Sequence, residues 1–239
     1  MSHSDSQQCE WLLPLVLPPQ AASAELRGDA EDPWLWPQEE TAIAGAADRR
    51  RREYASVRAC ARVALAQIGL PPYPLVPGER GAPSWPHGVV GSMTHCEGFR
   101  GAAVARRHEI IQLGIDAEPD EPLPEGVFET ISTTDERIRG AWLHQEHPGV
   151  PWDRVLFSAK ESVYKAWFPL SGEWLDFEQA NIRIDPSGSF GVEFLMPNAS
   201  AASMEFGHYC GRWLQCRGLV LTTAVVPSTD EALGPTTGQ

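Results

Sequence analysis

Leu-Phe-Ser-Ala-Lys-Glu-Ser-Val-Tyr-Lys-Ala-Trp, residues 156–167, is a run of helical spacing that also carries Glu161 and Lys165. On a helix, a separation of four puts a carboxylate and an ammonium on one face. Two readings are open from these residues. The first is a surface ion pair worth about 0.3–0.5 kcal/mol. The second is a metal-binding or proton-accepting carboxylate beside a phosphate-binding lysine. The surrounding chain has to decide between them.

Working outward, the preceding half offers possible partners for that helix. Glu109 to Glu118 reads as a strand, with Ile111, Leu113, Ile115 and Ala117 alternating with Gln112, Gly114, Asp116 and Glu118. Asp116 and Glu118 then project from one side, about 7 Å apart. Either they form a wet strand end or they are neutralised by a hard cation, since magnesium takes carboxylate oxygens. Upstream, Gly88-Val-Val-Gly-Ser-Met-Thr-His-Cys reads as a strand ending in Ser92, Thr94 and His95, followed by a hairpin around Gly98. Such a strand end is either structural or a phosphate cradle.

Thr41 to Ile68 is expected to be helical, closed by Gly69 and Pro71. It holds the one dense basic cluster, Arg49 to Arg52 with Arg58 and Arg62. Arg50, Arg58 and Arg62 can share a face, either solvated or phosphate-binding, because a planar guanidinium matches phosphate oxygens. Residues 1–40 read as one or two strands and an irregular acidic connection. Pro71 to Pro86 is a loop carrying Arg80. Pro119 to Pro124 is the best boundary, dividing the chain into halves 1–119 and 120–239.

Beyond it, Val127 to Ile131 reads as a helical turn. A helix capped at Thr133 or Thr134, with Glu136 in capping-box position, reaches about Gln145. The opening helix runs from about Asp153 to Phe168 and ends at Pro169 and Gly172. Strands follow near 175–184, 189–195, 206–216 and 219–225, then a polar tail. The expected class is α+β, two similar halves, each a helix-packed antiparallel sheet, facing each other across a cleft.

Composition narrows the classes. Thirty-two acidic against nineteen basic residues leave a net charge of −13, which argues against non-specific nucleic-acid binding. The five cysteines form no C-x-x-C pair, which suits a reduced, cytoplasmic protein. The apolar stretch Trp11–Leu17 is too short to cross a bilayer. His144 and His147 are expected at the surface rather than on a metal.

Three segments in order, Gly91-Ser-Met-Thr-His95, Gly114-Ile-Asp116-Ala-Glu118 and Phe157-Ser-Ala-Lys160-Glu161-Ser-Val-Tyr-Lys165, resemble the motifs of Sfp-type 4′-phosphopantetheinyl transferases. The likeness covers about residues 40–180. It is nearest the enterobactin-type siderophore branch and its actinobacterial relatives, and includes the arginine-rich 49–58 and Gly81-Ala-Pro-Ser-Trp-Pro-His-Gly. It implies a pseudo-twofold monomer with coenzyme A in the cleft. It also implies Mg²⁺- or Mn²⁺-dependent transfer of the 4′-phosphopantetheine arm to a serine of an apo acyl- or peptidyl-carrier protein. Carriers of polyketide, nonribosomal peptide, siderophore or fatty acid synthases are the implied partners.

In that reading Asp116 and Glu118 hold the metal, Lys165 is catalytic, and Glu161 is a metal ligand, the catalytic base for the carrier serine, or both. Arg50, Arg58, Arg80, Ser92, Thr94, His95, Lys160 and Lys165 bind the coenzyme. Val127, Phe128 and Ile131 are expected to meet the carrier. The alternatives are another Mg²⁺-dependent nucleotide phosphoryl enzyme, for which no Walker loop or kinase signature appears, and a non-catalytic coenzyme A- or carrier-binding homologue.

Overall fold

A computed structural model describes residues 11–196 and 209–228. A single-turn helix, α1 (Leu13–Val16), forms at the start because the buried Glu25 carboxylate accepts from the N–H groups of Leu12 (2.9 Å) and Leu13 (2.7 Å). Glu25 lies on β1 (Ala22–Arg27). The expected continuous helix from Thr41 is two, α2 (Pro37–Ile43) and α3 (Asp48–Gln67). The break has a local cause. Gly45 is a poor helix former, and the Arg51 guanidinium donates to the Ile43 carbonyl (3.0 Å), satisfying the end of α2.

The hairpin β2 (Val89–Cys96) and β3 (Phe99–Arg106) turns at Gly98, with φ +71°, and β1 adds to it in the order β1-β3-β2. Strand β4 (Ile110–Pro119) follows. After it come α4 (Val127–Ile131), α5 (Thr134–Glu146), α6 (Trp152–Ser171), β5 (Ala180–Asp185), β6 (Ser189–Phe194), β7 (Cys210–Cys216) and β8 (Leu219–Pro227). The last four strands make an antiparallel sheet with β4, in the order β4-β8-β7-β6-β5. The architecture is α+β, with α3 packed on the first sheet and α6 on the second. Phe206 to His208, the expected start of β7, lie outside the described residues.

Two details bring the sheets together where the chemistry lies. Ser92 Oγ accepts from the Ile115 N–H (3.1 Å) and Thr94 Oγ1 from the Ala117 N–H (3.0 Å), so side chains of β2 stitch onto β4. At Gly114 a Cβ would stand 1.9 Å from the Ser162 carbonyl oxygen, so only glycine lets α6 lie this close on β4.

Helix α6 is held by its apolar stripe. Val155, Ala159, Val163, Ala166 and Trp167 are all fully buried, and burying a side chain the size of Val163 contributes about 1.5–3 kcal/mol. Pro169 does not end the helix as expected. It sits in the last turn, and the helix closes at Gly172 (φ +67°), whose N–H reaches the Phe168 carbonyl at 2.9 Å. Among the described residues no helix is long and apolar enough to cross a membrane. The four described cysteines are unpaired.

Candidate active site

One cleft of about 510 Å³ is lined from both parts of the chain. Arg50, Tyr54 and Arg58 come from α3, Arg80 from the 71–86 loop, and Ser92 and His95 from β2. Glu161, Tyr164, Lys165 and Phe168 come from α6. Behind the α6 wall of this cleft, α6 packs on β4. Arg154, Ser158, Glu161 and Lys165 follow the i, i+4, i+7, i+11 stripe of α6. Lys165 Nζ donates to Asp116 Oδ1 (2.6 Å) and the Ile115 carbonyl (3.2 Å). Ser158 Oγ donates to Asp116 Oδ2 (2.8 Å), and Arg154 Nη1 to Glu118 Oε2 (2.8 Å). Glu161 and Lys165 therefore do not form the isolated surface bridge of the first reading; the lysine turns inward to a strand carboxylate.

The electrostatics mark a concentration of negative charge. Burial raises the Glu118 carboxyl, Asp116 raises it further, and Arg154 opposes both. Glu161 is likewise raised by burial, with Lys165 opposing and Asp116 adding. The Cys96 thiol is pushed up to about 12 by burial and then by Glu118 and Asp116. A divalent cation would relieve this mutual repulsion, and the donors are hard oxygens, so the residues fit Mg²⁺. They do not form a ready-made cage. Among the described residues no group of three or more His, Cys, Asp or Glu is poised to hold a metal, and Lys165 and Arg154 engage two of the carboxylates. A site completed by substrate phosphates suits magnesium, which keeps few protein ligands.

At the other wall, Arg50 Nη1 meets His95 Nε2 at 2.5 Å. A guanidinium can only donate, so this nitrogen accepts and the ring is neutral, protonated at Nδ1. Burial first, then Arg50, lowers the His95 pKa in agreement with that state. Arg58 lies over the Tyr54 ring at 3.1 Å and donates to the carbonyls of Leu75 (2.8 Å) and Tyr54 (3.3 Å). Burial lowers its pKa to about 10, which leaves it charged at neutral pH. Arg80, on the cleft lining, stacks on Trp174 (4.9 Å).

Several expected site residues are placed elsewhere. Lys160 is buried on the far side of α6, where Nζ donates to Glu136 Oε2 (2.9 Å), the Phe177 carbonyl (2.5 Å) and the Ala180 carbonyl (2.9 Å). Its three protons are thus consumed, and it does not line the cleft. Thr94 is buried in the β2–β4 seam, its hydroxyl shared between the Ala117 N–H and Asp116. Arg62 leaves the Arg50–Arg58 face to pair with buried Glu39. Ile131 is buried, and Phe128 packs on the core and over Gly140, so at most part of the expected docking patch is open.

Sequence reasoning missed Tyr54, Arg154 and Ser158. Their signal was present, since Tyr54 sits four residues from both Arg50 and Arg58, and Arg154 and Ser158 extend the Glu161 stripe backward.

Comparison with known proteins identifies the family. Residues 38–105 match the 4′-phosphopantetheinyl transferase N-terminal domain, and residues 112–223 the 4′-phosphopantetheinyl transferase superfamily. The chain is 50% identical over 219 residues to 4′-phosphopantetheinyl transferase Svp of Streptomyces mobaraensis, covering 90% of this chain and 89% of that one. It is 43% identical to 4′-phosphopantetheinyl transferase PptT of Mycobacterium tuberculosis, covering 90% and 96%. Enterobactin synthase component D of Salmonella typhi is 30% identical over 56% of this chain and 55% of that one. With that identity and coverage, the chain belongs to the 4′-phosphopantetheinyl transferase superfamily.

Proposed function

We propose that this chain moves the 4′-phosphopantetheine arm of coenzyme A onto a serine of an apo acyl- or peptidyl-carrier protein and releases adenosine 3′,5′-bisphosphate. The observation that carries the reading is one cleft in which Arg50, Arg58, Arg80 and Lys165 converge beside Glu161, within a chain of net charge −13. Four cations gathered in an acidic protein suit a ligand with several phosphates. Its two walls come from residues 42–95 and 161–169.

In the reaction the serine oxygen bonds to the phosphorus next to the pantetheine, and the bond from that phosphorus to the bridging oxygen breaks. The serine proton must leave as this happens. Glu161 is the carboxylate on the cleft lining and accepts that proton where it does not hold the cation, because a bound cation lowers a carboxylate's pKa. Lys165 offers positive charge to the phosphates as negative charge builds on the leaving oxygen. Arg50, Arg58 and His95 hold the 3′-phosphate end, with Arg80 on the lining and the Ser92 strand end as backing. Mg²⁺ or Mn²⁺, bound by Asp116, Glu118 and Glu161, would supply charge neutralisation at the pyrophosphate.

The test is intact-mass spectrometry of several apo carriers incubated with the protein, coenzyme A and Mg²⁺. The reading expects the phosphopantetheine mass on at least one carrier and none when Mg²⁺ is chelated. No transfer to any carrier would leave a coenzyme- or carrier-binding homologue as the better description.

A further inference from the structure

The fully buried Glu39 is not part of the cleft lining, yet the anion-binding wall hangs from it. It is the third residue of α2, and Oε2 accepts from the Trp36 N–H (2.8 Å) and pairs with Arg62. Oε1 accepts from the Leu75 N–H (2.8 Å) and faces Arg58 Nε at 3.7 Å. Arg58 Nε in turn donates to the Leu75 carbonyl, so Leu75 is gripped at its N–H by Glu39 and at its C=O by Arg58. From Leu75 the chain runs into the closed loop that carries Arg80, pinned by the Gly78 N–H to the Ala82 carbonyl (2.7 Å).

Arg62 is engaged by Glu39, the Trp34 carbonyl (3.2 Å) and the Trp34 ring (4.2 Å), its Nε is buried without a partner, and it does not line the cleft. Arg58 retains guanidinium N–H groups that no described protein acceptor engages, and it lines the cleft.

A second buried glutamate shows what the same local chemistry looks like with nothing left over. Glu136 is the third residue of α5 and accepts from the Thr133 N–H (2.7 Å), the Ile182 N–H (2.6 Å) and Lys160. Each glutamate thus joins a helix start, a cation of the long helix and a distant backbone N–H. Lys160 has no proton left to offer, whereas Arg58 does.

We infer that Glu39 is a positioning residue for the 3′-phosphate of coenzyme A: it fixes Arg58 and the Leu75 backbone so that the free guanidinium edge meets that phosphate. The inference rests on reading the cleft as the coenzyme A site. Coulomb attraction and bidentate geometry both depend on a fixed fork, and without the Glu39 carboxylate both the guanidinium and the Leu75 backbone that accepts from its Nε lose an anchor, leaving the fork free to turn toward solvent.

The experiment compares kcat/KM for coenzyme A with that for dephospho-coenzyme A, which lacks only the 3′-phosphate. Wild type, Glu39→Gln and Glu136→Gln are each measured beside a thermal melt. Glu39→Gln is expected to shrink the preference for coenzyme A by about tenfold to a hundredfold. Its kcat at saturating coenzyme A should stay within about twofold. Glu136→Gln should lower the melting temperature and leave the preference unchanged.

An unchanged preference in Glu39→Gln overturns the inference and makes Glu39 a structural twin of Glu136. A wild type indifferent to the 3′-phosphate would instead sink the assignment of Arg58 to it. If Glu39→Gln does not accumulate, Glu39→Asp, which keeps the charge but withdraws it by one methylene, is read by the same ratio. A shrunken ratio supports the inference and a wild-type ratio overturns it.

Discussion

Lys160 and Lys165 stand five positions apart on one helix, about 140° around its axis, and each pairs with a strongly buried carboxylate. Lys160 meets Glu136 at 2.9 Å with a side chain 2% exposed, and Lys165 meets Asp116 at 2.6 Å with a side chain 28% exposed. Distance alone would rank them together. The difference is that Lys160 gives all three protons to protein oxygens and faces the core, whereas Lys165 gives two and faces a cavity. A buried ammonium with nothing left to donate is a structural tie. One with a free proton at the edge of a cleft is available to a ligand.

Stripping the cleft face should have the largest effect. Glu161→Gln should lower the transfer rate by about a hundredfold to ten-thousandfold, with no loss of thermal stability because a raised, partly desolvated carboxyl is neutralised. Lys165→Met should lower it by about a hundredfold to a thousandfold, read from single-turnover phosphopantetheinylation. If either variant transferred at the wild-type rate, the two-faced description of α6 would break.

The inward face should respond the other way. Lys160→Met leaves Glu136 charged and buried, and should cost about 3–5 kcal/mol in urea unfolding, with the KM for coenzyme A unchanged. A raised KM without a stability loss would return Lys160 to the coenzyme site.

The smallest effect concerns His95. Its pKa in the folded protein lies below the ordinary 6.5 because of burial and then Arg50. Between that lowered value and 6.5 the unfolded chain holds the proton and the folded one does not. Stability should therefore fall as pH drops through 6.5, and His95→Gln should remove that part of the slope. In the imidazole NMR titration, the midpoint should lie below 6.5 in the free protein and rise when adenosine 3′,5′-bisphosphate is added. A midpoint at or above 6.5 in the free protein would contradict the neutral ring inferred from the contact with Arg50.

Much of the frame was legible in the chain. The capping box at Thr133 and Glu136, the hairpin at Gly98 and the long strand ending in Asp116 and Glu118 all formed near the expected residues. These features depend on neighbours within about four residues, where periodicity and turn chemistry act directly. The recognition motifs carried Glu161, Lys165, His95 and Arg50 to one cleft for the same reason: each lies on a regular element whose face the spacing sets.

What spacing could not assign was the use of each charge. Lys160 and Arg62 looked as available as Lys165 and Arg58 until their partners came into view, Glu136 24 positions before Lys160 and Glu39 23 before Arg62. Desolvation is decided by everything that packs around a group, and a buried charge is stable only where distant backbone and side chains satisfy it. The residue types and their order therefore named the chemistry, while tertiary packing chose which cations were spent on the fold and which remained for the ligand.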